Sequence, residues 1–197
     1  NLAGELKAVV IGHGMRDVAQ ETFRYGASEV LLVDHPDLAN YNTLPYSRVM
    51  SELVDSHQPR IVLFGGTFVG RDLAPRVASH TLSGLTADCT DLQISDVTYL
   101  RKEYKELLLQ IRPAFGGNIV ATIVNYDMWP QMATVREGVM PMLDPDSKRT
   151  GEVIREEIEI TPADTPLKLI ERHVEERKVN LKGARVIVAG GGGIGSK

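Results

Sequence analysis

The first half of the chain alternates short runs of β-branched and aliphatic residues with longer stretches in which apolar residues recur at helical spacing. This alternation is typical of a parallel sheet covered by helices, because a connection between parallel strands must cross back over the sheet. We therefore predict an α/β fold. The predicted strands are residues 6–11, 30–33 and 61–64, and the predicted helices are residues 16–25, residues 45–56 and a stretch that follows Thr67.

Beyond Gly84, turn residues come closer together and the apolar runs shorten. Such runs predict further strands, and some of these must pair antiparallel because only short turns separate them. The predicted strands are residues 85–87, 92–95, 98–100, 106–112, 119–124, 132–136, 154–160 and 184–189. The other predicted features are a turn at residues 116–118, an exposed loop at residues 141–151 and a docking or linking helix at residues 165–178.

The charge balance and the cysteine count narrow the possible functions. With 22 Lys and Arg residues against 26 Asp and Glu residues, the net charge of −4 argues against a nucleic-acid partner. No apolar run approaches the roughly 18 residues of a membrane span, so no membrane partner is expected. The single cysteine, Cys89, favours a reducing, cytoplasmic compartment. The histidines are scattered and no catalytic motif is present, so we predict neither a metal site nor catalytic residues.

A glycine-rich turn directly follows the last predicted strand. Its sequence satisfies the pattern G-x-G-x-x-G, in which glycines let the backbone approach a phosphate and a following helix offers free N–H groups. The predicted cofactor contacts are Gly190, Gly191, Gly192, Gly193 and Gly195. The pattern alone is weak, and an ordinary glycine turn is the alternative.

The densest group of candidate binding residues follows the third predicted strand, at residues 65–76. In open α/β sheets, ligands bind at the carboxyl ends of the strands. Thr67 offers a hydroxyl group, and Arg71 and Arg76 offer fixed positive charge to a phosphate or carboxylate. The alternative is a capped helix whose Arg71 and Asp72 are solvated or paired.

The first strand and helix suggest a second, competing site. The strand ends in Gly12-His13-Gly14, and Asp34 ends the next strand where a ribose-binding acid would lie. Asp17 stands where the third glycine of a dinucleotide motif would fall, so a turn cap is the stronger interpretation of Asp34. A Rossmann-type, NAD-binding dehydrogenase remains an alternative.

The chain resembles the alpha subunit of electron-transfer flavoproteins in five ordered segments, residues 65–78, 84–94, 112–123, 130–140 and 184–196. The resemblance implies a three-layer, Rossmann-like fold, similar to adenine-nucleotide hydrolases, with a mostly parallel sheet flanked by helices and some antiparallel strands. It also implies an N-terminal α/β domain over residues 1–164, a connecting helix and linker over residues 165–182, and the first strand of a truncated FAD-binding domain over residues 183–197.

The resemblance further implies an electron carrier subunit rather than a stand-alone enzyme. The sequences TADCT at residues 86–90 and RPAFGGN at residues 112–118 are more similar to the anaerobic, electron-bifurcating branch of the family. In that branch NADH reduces a second FAD held mainly by the beta subunit. One electron goes to ferredoxin or flavodoxin, and the other passes through the alpha-subunit FAD to an acyl-CoA dehydrogenase-type oxidoreductase.

The resemblance also singles out individual residues. It implies that Arg136, Thr67 and Arg71 face a cofactor between the subunits, with ordinary interface packing as the alternative. The chain departs from the family at Gly192, where the FAD-domain turn usually has Arg. Loss of that cation removes a group that would stabilise reduced, anionic flavin. A structural interaction domain without a cofactor remains a third possibility.

Overall fold

A computed structural model of the chain describes residues 5–114, 119–173, 181 and 184–195. Residues 1–167 belong to one compact unit and residues 168–197 to another, and each unit is described by itself. The elements of the first unit are β1 Lys7–Gly12, α1 Arg16–Phe23, β2 Glu29–Asp34, α2 Thr43–His57, β3 Ile61–Gly65, α3 Phe68–His80, β4 Leu85–Cys89, β5 Asp91–Tyr99, β6 Lys102–Pro113, β7 Val120–Ile123, β8 Gln131–Val135 and β9 Glu152–Arg155.

Within the described residues, the strands pair in three sheets of three strands each. Two sheets are entirely parallel, in the orders β1-β2-β9 and β3-β8-β4, and the third is antiparallel, in the order β5-β6-β7. The predicted α/β class, with parallel sheets flanked by helices and some antiparallel strands, is confirmed. The alternation of predicted strands and helices in the first half of the sequence therefore predicted the fold class correctly.

Strand β2 shows how the helices form layers on both faces of a sheet. Val30 and Leu32 point to α1 and pack with Phe23, whereas Leu31 and Val33 point the other way and pack with residues of α2. Because successive side chains of a strand alternate between faces, a strand buried on both faces needs an unbroken apolar run, and β2 has one. Each such buried side chain contributes about 1.5–3 kcal/mol to folding.

Helices α2 and α3 cover the second parallel sheet. Met50 and Val54 of α2 and Val77 of α3 pack against Met132 of β8, which is completely buried. Ile11 of β1 contacts both this cluster and the α2 cluster on β2. The core is therefore continuous beneath both helices, although the two parallel sheets have separate hydrogen-bond ladders.

Two predicted strand boundaries were wrong. The strands predicted at residues 92–95 and 98–100 form one strand, β5, whose register shifts between Ser95 and Val97. The strand predicted at residues 154–160 ends at Arg155, where its pairing with β2 ends. Beyond that point Ile158 and Ile160 pack against the α2 cluster, so their alternation reflects core contacts rather than strand pairing.

Two predicted elements near the end of the chain, the helix at residues 165–178 and the strand at residues 184–189, were also wrong where the structure describes them. Residues 165–173 contain no helix, and residues 174–178 of the predicted helix lie outside the described residues. Residues 184–189 form no strand, and Val188 is 96% exposed. An amphipathic helix is stable only when its apolar face packs against another part of the protein. A strand needs a neighbouring strand to hydrogen-bond its backbone N–H and C=O groups.

The two predicted loops have different outcomes. The loop at residues 141–151 is confirmed, since it is exposed and lacks regular structure. The turn predicted at residues 116–118 lies outside the described residues.

Candidate functional site

The carboxyl ends of β3, β4 and β8 meet at one edge of their parallel sheet. The turn Gly65–Thr67 follows β3, Asp88 lies at the end of β4, and Arg136 follows β8. Ligands of open α/β sheets bind at this edge because the loops that follow parallel strands gather there. The fold therefore brings Arg136 to the same place as Thr67 and Arg71, which are close to each other in sequence but far from Arg136.

The turn after β3 packs directly on the end of β8. The amide of Gly66 donates a hydrogen bond to the carbonyl oxygen of Val135 at 2.6 Å. A Cβ atom on Gly66 would lie 2.7 Å from that oxygen, and a Cβ atom on Gly70 would collide with the carbonyl oxygen of Gly65. Both glycines are thus required by close approach of the backbone.

Thr67 is the N-cap of α3. Its hydroxyl oxygen accepts a hydrogen bond from the amide of Gly70 at 3.1 Å, which satisfies one of the free N–H groups at the start of the helix. The predicted alternative of a capped helix is therefore present. It does not exclude cofactor binding, because the hydroxyl hydrogen of Thr67 is still available to donate.

Two arginines share one carboxylate at the edge. Arg136 donates from Nε to Asp88 Oδ1 at 3.0 Å and from Nη2 to Oδ2 at 2.6 Å. Arg71 donates from Nη2 to Oδ1 at 3.1 Å. The Arg136 hydrogen bonds, and to a lesser extent the charge of Arg71, hold the pKa of the Asp88 carboxyl below its usual range. Two permanent cations and one anion leave the group with one positive charge.

Asp88 reaches this position through an irregular backbone. Between Thr86 and Cys89, β4 uses one residue more than its partner β8, which is the pattern of a β-bulge. Asp88 has a φ of +66°, a conformation that Asp tolerates better than most residues, and its amide donates to Thr134 Oγ1 at 2.9 Å. Asp88 was not among the site residues predicted from the sequence. The available signal was its position directly after the predicted strand at residues 85–87, because ligands bind where such strands end.

Asp72, the neighbour of Arg71, is already engaged elsewhere. It accepts hydrogen bonds from Tyr41 Oη at 2.6 Å and from Thr43 Oγ1 at 2.5 Å. These hydroxyl groups lower the pKa of Asp72, while burial together with the Asp72 hydrogen bond raises the pKa of Tyr41 to about 12. The contacts tie the start of α2 to the N-terminal half of α3, and Arg71 pairs with Asp88 instead of Asp72.

The predicted glycine turn lies in the other unit. Gly192–Ile194 form a short 3-10 turn, and Gly195 has a φ of +83°. A Cβ atom on Gly191 or Gly193 would meet nothing within 4 Å. The described residues 184–195 thus contain neither the strand nor the helix that the phosphate-binding turn requires, so cofactor contacts from residues 190–195 stay a prediction.

The competing site at Asp34 has a structural explanation. Asp34 accepts hydrogen bonds from the amides of Gly14 at 2.8 Å and Met15 at 3.3 Å, and these bonds lower the pKa of its carboxyl. The side chain of Met15 also lies where a Cβ atom on Gly12 would be placed. The geometry favours the turn cap over a ribose ligand.

Other candidate chemistry is sparse in the described part of the chain. No group of three or more His, Cys, Asp or Glu side chains is placed there to hold a metal ion. Cys89 is buried, and burial raises the pKa of its thiol, which fits a structural role. None of the described helices is both long enough and apolar enough to cross a membrane.

Comparison with protein families matches residues 1–161 to the electron transfer flavoprotein domain. The chain belongs to the electron transfer flavoprotein family. The predicted resemblance to the N-terminal domain of the alpha subunit is thereby confirmed. The match covers the whole carboxyl edge described above.

Curated relatives extend the comparison beyond residue 161. The chain is 46% identical over 189 residues to the "Electron transfer flavoprotein subunit alpha" of Thermoanaerobacterium thermosaccharolyticum, with 95% of this chain and 55% of the relative covered. It is 36% identical over 187 residues to the "Lactate dehydrogenase (NAD(+),ferredoxin) subunit LctC" of Acetobacterium woodii, with 95% and 43% covered. It is 35% identical over 208 residues to the "Acryloyl-CoA reductase electron transfer subunit beta" of Anaerotignum propionicum, with 96% and 57% covered. The chain spans about half the length of these relatives.

The flavin cofactor implied by the family can be compared with the residues present. A flavin adenine dinucleotide carries an anionic pyrophosphate, and Arg71, Arg136 and Asp88 together offer net positive charge at a ligand-binding edge. The cluster therefore fits an anionic group of the cofactor. The glycines of residues 190–195 by themselves do not form a closed cradle.

Proposed function

We propose that the chain is the N-terminal part of an electron transfer flavoprotein alpha subunit, which passes electrons through FAD in a heterodimer with a beta subunit. The family match over residues 1–161 is the observation that carries this proposal. The cluster of Arg71, Arg136 and Asp88 supports it, because ligands of open α/β sheets bind at the carboxyl ends of the strands and this group carries one net positive charge there. We place the complex in the cytoplasm.

We infer further that the complex bifurcates electrons. In the proposal, electrons from NADH are divided between ferredoxin or flavodoxin and an acyl-CoA dehydrogenase-type oxidoreductase. The names of two relatives support this inference, since one mentions NAD(+) and ferredoxin and the other an acryloyl-CoA reductase. The branch-like sequences TADCT and RPAFGGN point the same way.

The domain itself has a modest chemical task in this proposal. FAD supplies the redox chemistry when it is bound, and the protein sets its position, its potential and its access to solvent. Arg71 and Arg136 provide positive charge near an intersubunit cofactor, and Thr67 can donate a hydrogen bond to it. Residues 190–195 begin the turn that contacts the alpha-subunit FAD.

The decisive experiment uses the full-length alpha subunit co-expressed with the beta subunit. We expect a heterodimer with bound flavin, which gel filtration with absorbance at the flavin bands would detect. We also expect NADH-dependent reduction of ferredoxin that requires the second acceptor to be present. A complex without flavin would overturn the electron-transfer proposal, and ferredoxin reduction without the second acceptor would overturn bifurcation.

The NAD-binding dehydrogenase remains a second candidate only through its sequence motif. Asp34, the residue expected to bind the ribose, instead accepts hydrogen bonds from the amides of Gly14 and Met15. Saturable NADH binding to the alpha subunit alone, abolished by Asp34→Ala, would restore it.

A further inference from the structure

The segment that follows β9 runs back along helix α2, from the last residue of the helix to its N-cap. At one end, Glu156 Oε1 lies 2.8 Å from Nε2 of His57, the last residue of α2. At the other end, the side-chain amide of the N-cap residue Asn42 donates a hydrogen bond to the carbonyl oxygen of Leu167 at 3.3 Å. Residues 156–167 are therefore laid antiparallel on α2, and we call them the strap.

The first part of the strap, residues 156–160, is held firmly. The amide of Glu156 donates to the carbonyl oxygen of Leu32 at 3.0 Å, directly beyond the pairing of β9 with β2. Ile158 and Ile160 pack against the core cluster that β2 and α2 form. Apolar burial is the dominant favourable contribution to folding, so this part is expected to stay in place.

The second part, residues 161–167, is attached to α2 by polar contacts at the surface of the protein. In one of them Nη1 of Arg48 lies 3.5 Å from Asp164 Oδ2, and the Arg48 side chain is 41% exposed. Another is the hydrogen bond from Asn42 to the backbone of Leu167, a residue that is 71% exposed. None of the residues in this described stretch contributes a side chain to the core clusters. Exposed ion pairs and hydrogen bonds add little net stability, so this part can leave the helix at small cost.

The second part also holds its own shape. Asp164 Oδ2 accepts hydrogen bonds from the Thr161 hydroxyl at 2.6 Å and from the Thr161 amide at 2.8 Å. These bonds hold the pKa of the Asp164 carboxyl below its usual range, so the carboxylate keeps the charge that pairs with Arg48. The Asp164 amide also donates to the carbonyl oxygen of Thr161 at 2.9 Å. Because the bonds between Thr161 and Asp164 do not involve α2, the turn can detach and return without refolding.

We propose that residues 161–167 are a releasable part of the strap, and that their release lengthens the free connection between the first unit and the rest of the alpha subunit. The release frees seven residues, which add at most about 25 Å of extended chain. Elements that move in function are drawn from the least stable parts of a fold, and the second part of the strap is such an element.

This inference rests on the proposed function, in which residues beyond the strap contact the alpha-subunit FAD. An electron carrier must bring its FAD close to a donor and then to an acceptor. A connection that changes length allows both positions, whereas a connection of fixed length restricts the FAD to a narrower range.

The first test locks the strap onto α2 in the full-length heterodimer with its flavins bound. Asn42→Cys and Leu167→Cys place two thiols at the last contact of the strap, and a short cross-linker that contains a cleavable disulfide joins them. Cys89 is buried and does not compete for the cross-linker. Stopped-flow absorbance then follows the reduction of the two flavins by NADH.

We expect the cross-link to slow reduction of the second flavin about fivefold or more, because the motion that it blocks becomes limiting. Cleavage of the cross-link by a thiol reductant is expected to restore the rate. Each single-cysteine variant, treated with the same reagent, is the control and is expected to keep the wild-type rate.

The second test measures release directly. Spin labels on Leu44→Cys in α2 and Pro166→Cys in the strap, both exposed positions, report their separation by pulsed electron paramagnetic resonance. We expect a short distance and a longer one. Arg48→Ala is expected to raise the population of the longer distance about twofold or more, because the exposed ion pair with Asp164 is lost. Glu52→Ala is the matched control, since it removes only a 3.9 Å contact to Arg48 within α2.

The outcomes separate this inference from the proposed function. If the cross-linked protein reduces its second flavin at the wild-type rate, or if the labels report one short distance in every variant, the inference is overturned and the electron-transfer proposal stands. Loss of flavin on cross-linking would also contradict the inference, because the strap acts on the connection and not on the cofactor. If the wild-type heterodimer binds no flavin, the proposed function itself fails.

Discussion

The amide of Gly66 and the carbonyl oxygen of Val135 are joined by a hydrogen bond of 2.6 Å, which fastens the turn after β3 to the end of β8. This contact sets the distance between the start of α3 and the loop that carries Arg136. The geometry of the candidate site therefore depends on Gly66, whose amide is used in a backbone hydrogen bond.

Gly66→Ala should destabilise the protein. Its Cβ atom would lie 2.7 Å from a backbone oxygen that cannot rotate away, and overpacking of this kind costs about 1–3 kcal/mol. Gly65→Ala is the matched control, since its Cβ atom would make only an ordinary contact of 3.7 Å with Thr67. Thermal unfolding of the full-length subunit checks both variants. An equal effect of the two substitutions would contradict the close-approach argument.

Asp34→Ala should lower the unfolding temperature without changing NADH binding. The substitution removes the carboxylate that accepts hydrogen bonds from Gly14 and Met15, so the turn after β1 loses its cap. Asp37→Ala is the control, because Asp37 is exposed and lies 3.8 Å from the ring of His35. Calorimetry measures stability, and titration with NADH measures binding. A loss of NADH affinity in the Asp34 variant alone would argue for the dinucleotide site.

The stabilisation that Asp88 provides should depend on pH in a defined direction. Its pKa is lowered in the folded protein, so its contribution is fully present above the usual Asp pKa of about 3.9 and is lost as the pH falls through the lower folded value. The unfolding temperatures of the wild type and Asp88→Asn should therefore differ at neutral pH and converge at pH values below about 4. A gap that persists unchanged in acid would mean that Asp88 acts through shape rather than charge.

Gly192→Arg should raise the reduction potential of the FAD bound by the full-length alpha subunit. The guanidinium would stabilise the negative charge that reduction adds to the cofactor. Gly192→Gln is the control, because it adds bulk without charge. Redox titration followed by absorbance would measure the potential. An equal shift in both variants, or none, would show that the missing cation does not tune the cofactor.

Much of the first unit was predictable from local patterns. The unbroken apolar run of β2 and the glycine turn after β3 each depend on residues close together in the chain, so periodicity and turn chemistry predicted them. The merging of two predicted strands into β5 was not predictable in this way. It depends on β6, whose pairing continues across the irregularity at Ser95 and Val97.

The candidate site was predictable only in part. Thr67 and Arg71 follow one strand, so their position relative to each other was evident from the sequence. Their approach to Arg136 depends on β8 lying between β3 and β4, an order that no local pattern contains. Asp88 was missed for the same reason, since its role comes from the arginines of two other segments.

The sequence by itself determined the fold class, the family and the candidate residues, because apolar periodicity, turn residues and ordered motifs are properties of neighbouring positions. Only the tertiary structure decided that Asp88 joins Arg71 to Arg136, that Asp34 caps a turn, and that residues 184–189 form no strand. Each of these depends on which segments meet in space. Strand order, and whether a strand has a pairing partner, are decided by packing between distant parts of the chain. They cannot be predicted from the local sequence pattern of one segment.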